Sequence, residues 1–237
     1  MPKPHDPVSL DYLDFRVWGR RALFTDPSTK LGGEKLTLPI PTYEALIGIV
    51  KGIYWKPTIV WVIDQVRVMN RIRTHSEGVR TIHFGKAGTD RFYYTYLIDV
   101  EYQVRAHFVF NPHRPDLAKD RNYPKHMQLA HRRLDRGGTR DICLGARECQ
   151  AYVEPILFGT GRGYYDHQPD ISFGMMLHGF DYPDEIGVDE LWTRWWKPTL
   201  RNGIIDFPSP DSPGVARKFV KSMVPIRPSF TAGGVTA

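Results

Sequence analysis

The stretch YPKHMQLAHRRL, residues 123–134, sets a lysine beside a histidine, directly after a proline and ahead of a basic amphipathic segment. Histidine titrates near neutrality and can take or give a proton, and lysine supplies a fixed positive charge. A helix N-terminus adds backbone donors and the positive end of a dipole, both suited to phosphate. Lys125 and His126 so placed could cleave RNA without a metal. The RNA's own 2′-hydroxyl would attack the adjacent phosphate. A base would take its proton, a cation would steady the phosphorane, and an acid would protonate the departing 5′-oxygen. Taken alone, an adjacent lysine and histidine is also an ordinary feature of a basic surface. Tyr54 and Trp55 end another helical stretch, just before Pro57. Trp55 reads as a core aromatic. The Tyr54 phenol needs a polar partner if buried, which leaves room for a site.

Other chemistries fit poorly. GTGRG, residues 159–163, follows a strand but is followed by no helix, so it does not read as a dinucleotide fingerprint. The histidines form no HExxH, and His126 and His131 lie five apart, which does not place both on one helix face. Neither a metal nor any other cofactor is expected. Cys143 and Cys149 match no zinc spacing and make no disulfide framework, and read as two buried thiols in a reducing cytoplasm. Trp192, Trp195 and Trp196 read as core or interface anchors, with base stacking as the alternative. No apolar run is long enough to span a membrane, because Lys51 interrupts the nearest one, ALIGIVKGIYW. The opening MPKPHDP has no apolar core of a signal peptide, and a cytoplasmic protein is expected.

The charge points to a polyanion. The net charge is +6. Between Lys119 and Arg140, seven Lys and Arg residues stand against Asp120 and Asp135, an excess of +5. Such a patch is the footprint of a phosphate-bearing partner, or else a solvated helix face. Arg132, Arg133, Arg136 and Arg140 are the candidate phosphate contacts.

These residues need elements to position them. YLDFRVWG alternates with period 2 and predicts a strand. PTYEALIGIVKGIYWKP predicts a helix capped by Thr42, with Leu46, Ile49, Val50 and Ile53 inward, ending near Tyr54–Trp55 ahead of Pro57. TIVWVIDQVRVM predicts a strand. Residues 71–92 read as a polar excursion with His75 and His83 on its surface. DVEYQVRAHFVF alternates, with Val100 to Phe110 on one face and Glu101 to His107 on the other. Lys125–Asp135 reads as a helix with Met127, Ala130 and Leu134 inward and Gly137–Gly138 as its stop. CQAYVEPIL follows as a strand. The order β-α-β-β-α-β predicts an α+β, ferredoxin-like domain over residues 1–157, the topology also used by RNA-recognition modules. FGTGRGYYDHQPD reads as a flexible connector. Residues 158–237 are expected to form a small antiparallel appendage from ISFGMMLHGFDYP, DELWTRWWKPTL and GIIDFP, with an extended basic tail.

Several long motifs occur in order: FRVWGRRALFTDPSTKLGGEKLTLPIPTYEAL, GIYWKPTIVWVIDQVRVMN, YTYLIDVEYQVRAHFVFNPHRPDLAKDRN, KHMQLAHRRL, GGTRDICLGARECQAYVEP and HGFDYPDE. By these, from about Tyr12 to Pro225, the chain resembles the CRISPR-associated Cas5 family, subtype d, the RAMP protein of type I-C (Dvulg) systems. The resemblance implies metal-independent cleavage of the CRISPR repeat hairpin in precursor crRNA by a tyrosine, a lysine and a histidine. The motif IYWKP puts the tyrosine at Tyr54, and KH puts the others at Lys125 and His126. It further implies that the protein stays on the 5′ handle of the product and joins the backbone and large subunits of the type I-C interference complex (Cascade), and that duplex DNA is a further partner. Relatives in other subtypes are not nucleases, so a non-catalytic handle-binding subunit is the alternative.

Overall fold

The computed structural model describes residues 11–26, 29, 33–82, 85 and 88–224. In chain order it contains β1 (Leu13–Ala22), β2 (Lys35–Leu36), α1 (Tyr43–Ile53), β3 (Ile59–Val68), β4 (Thr74–Ile82) and β5 (Thr89–Phe110). A 3-10 turn at Pro115–Asp120 leads to α2 (Tyr123–Leu134), β6 (Ile142–Cys143) and β7 (Gln150–Pro155). Then come β8 (Ile171–Ser172), β9 (Met176–Asp181), α3 (Pro183–Ile186), β10 (Glu190–Trp196), β11 (Thr199–Leu200), β12 (Ile204–Asp206) and β13 (Ala216–Ser222).

The fold is α+β, built on a large antiparallel sheet. Its order is β12-β3-β5-β1-β7-β6, and the four central strands pair antiparallel throughout. α1 joins β1 to β3, and α2 joins β5 to β7. Period 2 in β1 turns Leu13, Phe15 and Val17 inward and leaves Asp14 and Arg16 on the other face. On β5, Tyr102, Val104, Ala106 and Phe108 turn the same way. Both helices bury their apolar sides in this core, α1 through Leu46, Ile49, Val50 and Ile53 and α2 through Met127, Ala130 and Leu134. The Thr42 side chain accepts the Ala45 amide hydrogen and caps α1, as expected.

Four features differ from the sequence reading. Residues 71–92 are not a shapeless excursion: β4 pairs with the outer half of β5 from Thr74–Leu97 to Ile82–Thr89. His75 is exposed on this hairpin, while His83 lies outside the described residues. The connector after residue 157 is hydrogen-bonded to the large sheet. Gly159 donates its amide to Gln103, and Arg67 donates to the Thr160 and Gly161 carbonyls and to Asp166. Those bonds bind the glycine-rich loop to β3 and β5. GIIDFP does not join the appendage; it supplies β12, which pairs with β3 at the edge of the large sheet. The small sheet is β13-β10-β9 instead, its third strand drawn from the basic tail. Trp196 is buried in the core against Phe207, and Trp192 packs on Phe219, both as anchors.

β9 packs against α1 through a buried polar cluster. His178 is wholly buried, stacks on Tyr43 at 4.3 Å, and hydrogen-bonds the Pro208 carbonyl at 3.0 Å through Nε2. Arg194 donates Nε–H to His178 Nδ1 and pairs with Asp181, and Glu44 accepts the Phe180 amide hydrogen. Burial, with the Arg194 charge, pushes the His178 imidazole down to about 4 from its ordinary 6.5. The unfolded chain therefore takes up this proton first. The contribution to stability is complete above the unfolded value and is lost as pH falls toward the folded one. Urea unfolding should show a loss of about 2 kcal/mol from this group between about pH 7 and pH 5. His178→Gln should flatten that slope; an unchanged slope in the variant would place the acid sensitivity elsewhere.

Candidate active site

Tyr54 is the residue at which α1 ends, in an extended conformation. Its amide donates to the Val50 carbonyl at 2.9 Å, and its own carbonyl accepts the Trp61 indole N–H at 2.8 Å. The main chain is thereby held on both sides of the Tyr54 Cα, and the phenol meets α2. Its hydroxyl lies 2.8 Å from His126 Nδ1. His126 faces inward from the first turn of α2, is 1% exposed, and lies beside the Phe108 and Phe110 rings.

Successive helical residues point about 100° apart, so Lys125 cannot follow His126 inward. Its side chain stands at the rim, 52% exposed. The two meet again at Asp120, the last residue of the 3-10 turn. Lys125 Nζ is 2.7 Å from Asp120 Oδ1. His126 Nε2 is 2.7 Å from the Asp120 carbonyl oxygen and 3.4 Å from Oδ2. Thr58, in the turn just before β3, donates its hydroxyl hydrogen to Oδ2 at 3.0 Å. The three expected residues thus come together, Tyr54 and His126 directly and Lys125 through Asp120. Sequence reasoning missed Asp120 and Thr58. The only trace of Asp120 was a carboxylate five residues before the lysine, within the charged loop PDLAKDRN.

The electrostatics are uneven across the site. The hydrogen bond from Lys125 holds the Asp120 carboxyl below its ordinary range, against a smaller opposing effect of burial, with the hydrogen bond from Thr58 adding to it. Burial raises the Tyr54 phenol, the Asp120 charge raises it further, and Arg133 opposes both. Tyr54 is therefore held protonated in the free protein.

The helix terminus differs from expectation. α2 starts at Tyr123, with Asn122 as its cap and Pro124 inside the first turn. Proline is accepted there because its missing N–H would have no helical partner. The Asn122 side chain accepts the Lys125 amide hydrogen at 3.1 Å, and its carbonyl accepts that of His126 at 3.2 Å. The amides of the reacting pair itself are occupied, so phosphate would meet side chains here. Arg132, Arg133, Arg136 and Arg140 are all exposed. Helical spacing sets Arg132 in line with Lys125, and Arg133 in line with His126, while Arg136 stands in the turn after the helix. Arg140 lies beyond the helix, its amide bonded to the Gly52 carbonyl near the end of α1. Trp55 is not core: it is 46% exposed beside the site, because the chain turns outward there between α1 and β3.

The family described as CRISPR-associated protein (Cas_Cas5), in its Cas5d form, matches residues 12–208. A CRISPR pre-crRNA endoribonuclease Cas5d of Mannheimia succiniciproducens is 29% identical over 227 residues, covering 83% of this chain and 94% of that one. A protein of the same description from Thermus thermophilus is 31% identical over 189 residues, 76% and 77% of the two chains. A crystal structure of a CRISPR-associated protein superposes with a TM-score of 0.73 at 35% identity, over 86% of this chain and 96% of that one. A functionally uncharacterised protein from Streptococcus mutans superposes with a TM-score of 0.68 at 37% identity, over the same shares.

Proposed function

The chain belongs to the Cas5d family of CRISPR-associated proteins, and on that premise we propose that it is an endoribonuclease cutting CRISPR repeat hairpins in precursor crRNA. In this reading its core is a ferredoxin-like RAMP domain, it needs no metal, and it remains on the 5′ handle as a subunit of the type I-C interference complex. The observation that carries the reading is the Tyr54 hydroxyl at 2.8 Å from a buried histidine. A phenol and an imidazole so joined can move a proton between a substrate hydroxyl at the surface and a base in the interior. Lys125, at the rim, supplies positive charge for the phosphorane. Lys125 and Arg132 lie seven residues apart along α2 and fit a phosphate backbone, with Arg133 on the same helix and Arg136 and Arg140 exposed beyond it. Among the described residues no three His, Cys, Asp or Glu side chains converge as ligands for a metal.

The purified protein should cut its cognate repeat RNA in EDTA and leave a 2′,3′-cyclic phosphate, or its hydrolysed form, opposite a 5′-hydroxyl. A deoxyribose at the nucleotide before the cut should block the reaction, since the attacking oxygen is gone. Activity lost in EDTA and restored by magnesium would overturn the metal-free mechanism. Tight binding of the repeat with no cleavage under any condition would favour a handle-binding subunit instead.

A further inference from the structure

Asp120 touches Lys125, Thr58 and His126 at once, and its hydrogen bond with His126 is made by the main chain. A carbonyl oxygen only accepts hydrogen bonds, so the His126 Nε2 facing it at 2.7 Å carries a hydrogen. In the neutral ring Nδ1 is then bare, and the Tyr54 hydroxyl donates to it across 2.8 Å. The opposite tautomer would set a lone pair against the Asp120 carbonyl in a site with 1% exposure, where no water can intervene.

We infer that Asp120 is a positioning residue: its carbonyl selects the His126 tautomer that can accept the Tyr54 proton, and its carboxylate holds Lys125 at the rim. The inference rests on the ribonuclease reading for its catalytic half only. It fixes the direction of the relay. The 2′-hydroxyl gives its proton to the Tyr54 oxygen as the Tyr54 proton passes to Nδ1. The 2′-oxygen bonds to phosphorus, the bond from phosphorus to the 5′-oxygen breaks, and that oxygen takes a proton from water at the open rim. The imidazolium returns its proton through Tyr54 to the hydroxide so formed, and nothing is consumed. While charged, the ring keeps its Nε2–H on the Asp120 carbonyl, with the carboxylate 3.4 Å away to stabilise it. The same carboxylate offsets the Lys125 charge that a phosphate would otherwise meet unopposed.

Two measurements test this. Imidazole ¹⁵N spectra of the whole protein, with the His126 signal assigned by its loss in His126→Gln, should show hydrogen on Nε2; hydrogen on Nδ1 overturns the tautomer assignment whether or not the protein cuts RNA. Asp120→Asn keeps the carbonyl and the side-chain shape and removes the charge. It should bind an uncleavable 2′-deoxy repeat severalfold tighter yet cut the ribose form about tenfold or more slower in single turnover. The gain in affinity should vanish when Lys125→Ala is already present, because the effect passes through that side chain. Asp120→Glu, which restores the charge, should recover part of the rate. Rate and affinity falling together would indicate a merely structural role, and no change in either would remove the carboxylate from the site. A wild-type protein that does not cut repeat RNA would overturn the ribonuclease reading, while the tautomer is decided by the spectra.

Discussion

His126→Ala should slow single-turnover cleavage by about 10²- to 10⁴-fold while leaving affinity for an uncleavable repeat close to wild type. Rate and affinity separate here because of where the ring sits. His126 is 1% exposed, with both ring nitrogens taken up by Tyr54 and Asp120, so it offers RNA no direct contact. Alanine also opens a cavity and strands the Asp120 carbonyl and the Tyr54 hydroxyl, so thermal melting must accompany the kinetics. Tyr54→Phe separates the two effects more cleanly. It keeps the ring and its packing, removes one hydroxyl, and should lower the rate while costing about 1–3 kcal/mol of stability for the unpaired Nδ1. Lys125→Ala should lower the rate and weaken binding, since it deletes a rim cation. Wild-type rates in all three variants would show that the reacting groups lie elsewhere.

Asp166→Ala should destabilise the protein by about 3–5 kcal/mol, measured by urea unfolding. Arg67, at 5% exposure, donates two hydrogen bonds of 2.8 Å to Asp166 and two more to the Thr160 and Gly161 carbonyls. Removing the carboxylate leaves a guanidinium in the interior with carbonyl partners but no counter-charge. The exposed pair Arg73–Asp99 has side chains 51% and 63% exposed, so Arg73→Ala should cost no more than about 1 kcal/mol. A cost for Asp166→Ala as small as that for Arg73→Ala would mean that water reaches Arg67 and that the glycine-rich loop is held by its backbone bonds alone.

Much of the site was legible because its parts carry sequence signals. Thr42 and Pro57 bracket the helix that delivers Tyr54, and the adjacent Lys125 and His126 announce themselves by type. The alternation of residues 99–110 was readable because one face of that half of β5 is buried. The outer half, residues 89–98, was not. A ribbon with water on most of both faces has no reason to alternate, and β4 shows the same lack of pattern. A helix started at Lys125 passes over the Asn122 cap, because the first turn of a helix accepts Pro124. Trp55 followed the rule that large aromatics are buried, which the outward turn after α1 defeats. Asp120 was the costliest omission. It acts on His126 through a carbonyl that every residue possesses, and no motif can report that.

The 22 residues of β5 run about 70 Å at ~3.3 Å per residue, and they pass through two environments. From Thr89 to Leu97 the strand is paired with β4 in an arm that buries little apolar surface; from Val100 to Phe108 it runs between β1 and β3 through the core. Amide hydrogens in the arm should therefore exchange with solvent by brief local opening, while those of the inner half should wait for the whole domain to unfold. One continuous strand would then have two lifetimes. The arm can part and re-pair, or remodel itself against a bound surface, while the far end keeps Phe108 and Phe110 against the His126 ring.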